Sequence, residues 1–166
     1  MKRVCAWCGA ALGNEDTADS KVVTHGICAP CLRAMYGDSV SETLRSFLNK
    51  FEFPVLQVDK DGRIMLTNDK VNAMLRKSPE EVDGKLGGDV IECVYSKEPG
   101  GCGKTVHCKG CAIRNTVMAS HDTGESFSNI DAYQDIQTNE GVKRVHFKIS
   151  TEKILDVVLL KVEPAE

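Results

Sequence analysis

No run in this 166-residue chain approaches the ~20 consecutive apolar residues that cross a bilayer, and the N-terminus lacks the apolar core of a signal peptide. A cytoplasmic protein with no membrane contact is expected. An excess of basic charge is missing as well. The net charge is −3, so no overall positive field is available to hold nucleic acid or an anionic membrane. With 42% hydrophobic and 27% charged residues, the composition is that of a globular chain large enough for one ordinary domain plus a small appendage.

Catalytic signatures are also lacking. There is no HExxH zinc-protease motif, no Ser/His/Asp arrangement and no specific carboxylate pair. Gly103-Lys104-Thr105 resembles the end of a phosphate-binding loop, but the position that needs the opening glycine holds Glu98. No enzymatic activity is expected.

The chain is rich in cysteine. In a reducing compartment, eight cysteines read as metal ligands more readily than as disulfides. Four lie between Cys93 and Cys111: Cys93, Cys102, Cys108 and Cys111, with eight, five and two residues between them. Glycines and a proline separate them, which lets the backbone turn tightly enough for the sulfurs to converge. Zinc and an iron–sulfur cluster both use four cysteines, so the spacing leaves that choice open, with reactive thiols as a third reading.

The other four form two Cys-x-x-Cys knuckles, Cys5/Cys8 and Cys28/Cys31, nineteen residues apart. That interval fits a four-cysteine zinc ribbon, with a rubredoxin-like iron centre as the competitor. The segment from Gly13 through Asp16 and beyond is polar, so the ion must supply its folding energy. His25 reads as a turn or supporting residue, since four thiols already complete the set. Within residues 1–38, Lys2, Arg3, Lys21 and Arg33 balance Glu15, Asp16, Asp19 and Asp38. A ribbon without clustered positive charge is expected to be structural or protein-contacting rather than nucleic-acid-binding.

After this unit, Ser39 and Glu42 form the ends of a capping box. Leu44, Phe47, Leu48 and Phe51 then make one apolar helical stripe, suited to core packing or to pairing with a second copy. Val55–Val58 and Arg63–Thr67 read as strands around an Asp59–Gly62 turn. Asn68 is a cap for a short helix carrying Val71, Met74 and Leu75, and Ser78-Pro79-Glu80-Glu81 starts another. Ala112–Ser120 reads as a helix with Cys111 at its N-terminus, where the macrodipole favours a thiolate. Three strands follow Gly124. A turn is expected at Gly141 and another at Thr151-Glu152-Lys153, and Val145, Phe147 and Ile149 should face inward. The last strand, Ile154 to Val162, is apolar enough to be central. Strands interrupted by helices argue an α+β fold with an antiparallel sheet.

The stretch from Phe53 to Asn68, with Val58-Asp59-Lys60-Asp61-Gly62-Arg63-Ile64 at its centre, resembles the opening hairpin of a PAS domain. Ser78-Pro79-Glu80-Glu81-Val82-Asp83-Gly84-Lys85 is similar to a later PAS segment, and the resemblance covers roughly Leu44 to Val162. It implies a five-stranded antiparallel sheet with flanking helices, acting as a sensor and dimerisation module. It also implies that the Cys93–Cys111 loop lies on the wall of a ligand pocket. The flavin-adduct motif Asn-Cys-Arg-Phe and the haem motif Cys-x-x-Cys-His are both missing, and His107 and His121 read as ordinary histidines.

The expected organisation is a zinc-ribbon-like unit at 1–38, an amphipathic linker or dimerisation helix at 39–52, and a PAS-like domain at 53–166. The expected function is a sensory module with a cysteine-ligated metal centre, a homodimer that signals through a partner protein. The alternatives are an adaptor with two structural zinc sites, and a small electron carrier or zinc-ribbon transcriptional regulator.

Overall fold

Asp59 sets the first turn of the main sheet. Its carboxylate accepts the backbone N–H groups of Asp61 and Arg63, each at 2.9 Å, and Gly62 takes a positive φ of 81° that a side chain would resist. The strands on either side, β4 (Val55–Val58) and β5 (Ile64–Thr67), pair antiparallel. The computed structural model describes residues 2–14, 23–28, 30–31, 34 and 39–165. The polar residues Glu15, Asp16, Asp19, Lys21, Arg33 and Asp38, and the side chain of the expected cap Ser39, lie outside that set.

The chain divides into two compact units, Met1–Thr43 and Leu44–Glu166. In the first, β1 (Lys2–Cys5) pairs antiparallel with β2 (Ala11–Asn14) and parallel with β3 (Val23–Gly26). His25 lies within β3 opposite Val4, in a strand rather than a turn.

The second unit is built on a five-stranded antiparallel sheet. After the hairpin come five short helices or helical turns, then the helix α5 (Ala112–Thr123), then β6 (Phe127–Thr138), β7 (Gly141–Ile154) and β8 (Val157–Pro164). The strand order is β5-β4-β8-β7-β6, so β8 is central, as its apolar sequence requires. Val158 and Leu160 of β8 join Phe147, Ile149, Leu56, Val58 and Val117 in the core, and α5 packs over β6, β7 and β8. Phe147 and Ile149 face inward as their alternation demands, with Val145 partly buried beside them.

One turn differs from expectation. The chain runs straight through Thr151-Glu152-Lys153 and reverses at Leu155-Asp156, with Leu155 at a φ of 54°. Thr151 is buried and shares a 2.7 Å hydrogen bond with Ser120 of α5, which holds that polar residue in the strand.

The short elements follow their caps. Asn68 is completely buried, and its side-chain oxygen accepts from the N–H groups of Val71 and Val55, at 3.1 and 3.2 Å. Its amide nitrogen donates to the carbonyls of Leu48 and Phe53, at 3.2 and 2.9 Å. This one side chain starts α2 (Asp69–Leu75) and ties it to β4 and to the end of α1 (Ser39–Leu48). The Ser78 N–H bonds to Glu81 at 2.8 Å to open α3 (Pro79–Val82), and α4 (Gly87–Val90) follows. Of the apolar stripe Leu44, Phe47, Leu48 and Phe51, Leu48 is buried and Phe51 partly so, while Leu44 and Phe47 are exposed. The helix docks by its last turn, where Arg45 also bonds to the Thr67 carbonyl and to Asp83.

Strand β6 is a sheet edge, and the chain around Cys93 lies along it. The Gln137 N–H donates to the Glu92 carbonyl at 2.9 Å, and Cys93 forms a bridge with Ile136. No helix among the described residues is long and apolar enough to cross a membrane.

Candidate metal centres

The first centre forms where the strands bring the turn after β1 beside the end of β3. Residues 6–8 turn directly after β1, closed by Gly9 N–H to Cys5 O at 2.9 Å, with Gly9 at a φ of 72°. The Ala6 N–H reaches Gly26 O at 2.8 Å, which brings the end of β3, and so Cys28, beside Cys5. The sulfurs of Cys5, Cys8, Cys28 and Cys31 all lie within 4.8 Å of one another, and the Cys8 and Cys28 sulfurs are 3.6 Å apart. Thiolates held at ~2.3 Å by one tetrahedral ion stand about 3.8 Å apart, so this donor set could hold a single metal ion. Backbone N–H groups point at the sulfurs: Trp7 and Cys28 donate to Cys5, and Cys31 donates to Cys28, each at 3.4 Å. Donors from the Cys8, Cys28 and Trp7 backbones outweigh burial and lower the Cys5 thiol to about 6. Cys31 moves the other way: sharing its proton with Cys28 and Cys8, with burial added, raises it to about 12.

The second set has a different geometry. Cys93, Cys102, Cys108 and Cys111 all line one cavity of about 800 Å³, which reaches inward to Leu56, Val58, Phe147 and Leu160 of the core. Cys93 opens a 3-10 turn at Val94–Lys97, Cys108 lies in another at Val106–Gly110, and Cys111 is the N-cap residue of α5. Among the described residues, the first set is the group of three or more ligands gathered within 4.8 Å, so these four sulfurs stand wider apart. None of the eight cysteines forms a disulfide.

Each sulfur of the second set has its own surroundings. Burial pushes the Cys93 and Cys102 thiols up. Burial acts on Cys108 too, but it is overcome. The Thr105 hydroxyl at 3.2 Å, the Gly103 N–H at 3.1 Å, the Thr105 backbone and the charge of Arg114 hold that thiol below its ordinary value. Gln134, buried in β6, donates its side-chain amide to Cys111 at 3.4 Å. Against Cys102 the backbone of α4 comes so close that a Cβ on Gly88 would meet its sulfur at 2.7 Å.

The histidines take ordinary roles. His107 stacks on Tyr95 at 3.9 Å between ring centroids and approaches Glu98 at 3.6 Å. His121 is buried, with its ring 3.2 Å from the Val58 carbonyl. The cysteines were marked by their spacing. Gln134 and Gly88 were not, because folding alone joins them to the cysteines. Thr105 and Arg114 carried a signal, lying three residues before Cys108 and three residues after Cys111, the latter one helical turn along α5.

Comparison with known proteins agrees with this architecture. Residues 42–98 match the family model described as PAS fold. Among solved structures, the chain is similar to the PAS domain of a protein from Colwellia psychrerythraea, with a TM-score of 0.50 at 12% identity, covering 76% of this chain and 97% of that one. It is also similar to the PAS domain of an HTR-like protein from Haloarcula marismortui, with a TM-score of 0.47 at 12% identity over 77% of this chain and 99% of that one. A third similarity is to the E. coli DhaR(N)–DhaL complex, with a TM-score of 0.49 at 13% identity. There the match covers 82% of this chain but only 39% of the other. No curated protein matches. The fold is PAS-like, α+β, with a five-stranded antiparallel sheet and several helices.

Proposed function

We propose that this chain is a PAS-type sensory module in which Cys93, Cys102, Cys108 and Cys111 hold an iron–sulfur cluster that responds to redox state or oxygen. Cys5, Cys8, Cys28 and Cys31 hold a structural zinc ion in this reading. The module acts in the reducing cytoplasm without catalysis of its own, and it signals by contact with a partner protein. Pairing with a second copy through residues 39–51 belongs to the same proposal, since Leu44 and Phe47 of that stripe are exposed.

The observation that carries the reading is the contrast between the two cysteine sets. The first gathers its sulfurs within 4.8 Å, as one ion requires, while the second spreads four sulfurs around the wall of a cavity. A polynuclear cluster fills such a space with its own iron and sulfide and keeps its thiolate ligands apart. The placement also supports sensing. Cys111 begins α5, which packs over three strands, and Cys93 adjoins the edge of β6. Breakdown of the cluster would free its thiolates, Cys111 and Cys93 among them, and shift the helix against the sheet.

The test is metal and sulfide content, with an absorption spectrum, on protein purified without oxygen. One zinc, several irons and sulfides, and a brown absorbance that bleaches in air are expected. Two zincs per chain and no visible absorbance would overturn the sensory reading and leave an adaptor with two structural ions.

A further inference from the structure

Arg114 is half-buried on α5 and lines the same cavity as Cys102, Cys108 and Cys111. Its guanidinium has no hydrogen bond or ion pair among the described residues, and its charge acts on the Cys108 thiol. A guanidinium removed from part of its water without an anion is unfavourable, so its placement calls for a reason.

The surrounding backbone is shaped to admit it. A Cβ on Gly103 would lie 2.6 Å from a terminal guanidinium nitrogen and 2.8 Å from Cζ, and one on Gly62 would lie 3.3 Å from the same nitrogen. Both glycines have positive φ, 89° and 81°. Gly103 serves twice: its bare α-carbon gives the guanidinium room, and its N–H donates to the Cys108 sulfur at 3.1 Å. The cation is therefore held in a slot between two glycines, beside a thiol already supplied with donors. Four thiolates around an ion or cluster carry net negative charge, which is what a lone half-buried cation lacks.

We infer that Arg114 is the counter-charge of the second cysteine centre, a positioning residue that favours its more negative state and slows loss of its metal. The inference rests on the reading of Cys93, Cys102, Cys108 and Cys111 as metal ligands. In a cluster, reduction adds one electron from an external reductant, with no bond made or broken. A cation at Arg114 stabilises that added charge and raises the potential, and neutralising it lowers the potential.

The experiment compares the full chain with Arg114→Gln and Arg114→Lys, purified without oxygen. Two measurements are made: the midpoint potential by spectroscopic titration with a chemical reductant, and the rate of metal release to a chromogenic chelator. Arg114→Gln is expected to weaken reduction about tenfold, which is about 59 mV for a one-electron couple. It is also expected to release metal about tenfold faster from the second centre alone, while Arg114→Lys stays near the parent on both counts. An Arg114→Gln chain with unchanged potential and release rate overturns the inference. So does an Arg114→Lys chain as perturbed as the glutamine variant, since that result would assign the effect to packing. If the parent proves colourless and zinc-bound, the iron–sulfur reading fails, and the release rate alone judges Arg114. A parent with no metal on these cysteines overturns both before any variant is made.

Discussion

Gly88→Ala places a single methyl group against the second centre. Gly88 lies in α4, where alanine would ordinarily stabilise a helix by about 1 kcal/mol over glycine. Here the added carbon would stand 2.7 Å from the Cys102 sulfur, 3.0 Å from the Cys102 Cβ and 3.4 Å from the Ser96 Cβ. Comfortable contacts between such atoms begin near ~3.5 Å, so Cys102 or the α4 backbone has to move by several tenths of an ångström. Overpacking costs about 1–3 kcal/mol, and a 2.7 Å approach belongs in the upper half of that range, so it outweighs the helix gain and reverses its sign. The expected net loss is about 1–2 kcal/mol. That corresponds to a melting temperature lower by roughly 3–8 °C. If Cys102 is a ligand, the same displacement lowers metal content at the second centre and leaves the first centre full. Calorimetry with metal analysis reads both effects. Adding Cys102→Ala should relieve most of the strain, so the two substitutions should be strongly non-additive. A Gly88→Ala protein that melts at or above the parent with its metal complete would refute the reasoning.

Asn68→Ala strands the Val55 N–H and the Phe53 carbonyl and takes one of two partners from the Val71 N–H and the Leu48 carbonyl, and should cost about 3 kcal/mol in denaturant unfolding. Asn68→Asp keeps the acceptor but loses both donors, so it should recover less than half; full recovery would show that those donors contribute nothing. Lys148 and then His146 hold the Asp131 carboxyl below its usual range. Its contribution is complete above the ordinary carboxylate value of ~3.9 and is lost as the pH falls through the lower folded value. Asp131→Asn should therefore flatten the acid limb of the stability profile, and a profile superimposable on the parent's would count against the pairing. Replacing Cys8 and Cys31 by serine, which removes two ligands of the first centre alone, should abolish amide protection at Val4 and His25, while Leu44–Glu166 keeps its melting transition. Persistent protection at those two amides would mean that the strands fold without an ion.

The features legible in the sequence were those written in neighbouring residues. Asp59 and Gly62 specify their turn by side-chain acceptance and positive φ, and Asn68 announces a helix start whose cap bond is present. The convergence of Cys5, Cys8, Cys28 and Cys31 was readable because ligand spacing is a local code. The last turn was misplaced because a polar triplet beginning at Thr151 looked like a break, whereas Ser120, distant in sequence, satisfies that threonine inside the strand. Leu155, a residue with no turn preference, takes the left-handed conformation instead. The apolar stripe from Leu44 to Phe51 gave the direction of docking but not its depth: the last turn is covered, and Leu44 and Phe47 are not. Gln134 and Gly88 escaped notice for the same reason as Ser120. Their significance lies in a neighbour that only the closed sheet and α5 bring near.

The position of Glu92 and Cys93 along β6 also bears on self-association. A twelve-residue strand at the edge of a sheet offers a row of unpaired N–H and carbonyl groups, the template on which a foreign strand can dock and a sheet can grow from molecule to molecule. Here the chain leading into the cysteine loop is laid against that row at Ile136 and Gln137 and blunts it. The loop is thus a cover for the edge as well as a wall of the cavity. Whatever loosens Cys93 lengthens the open edge, so a change inside the molecule becomes a surface on which another chain can add a strand.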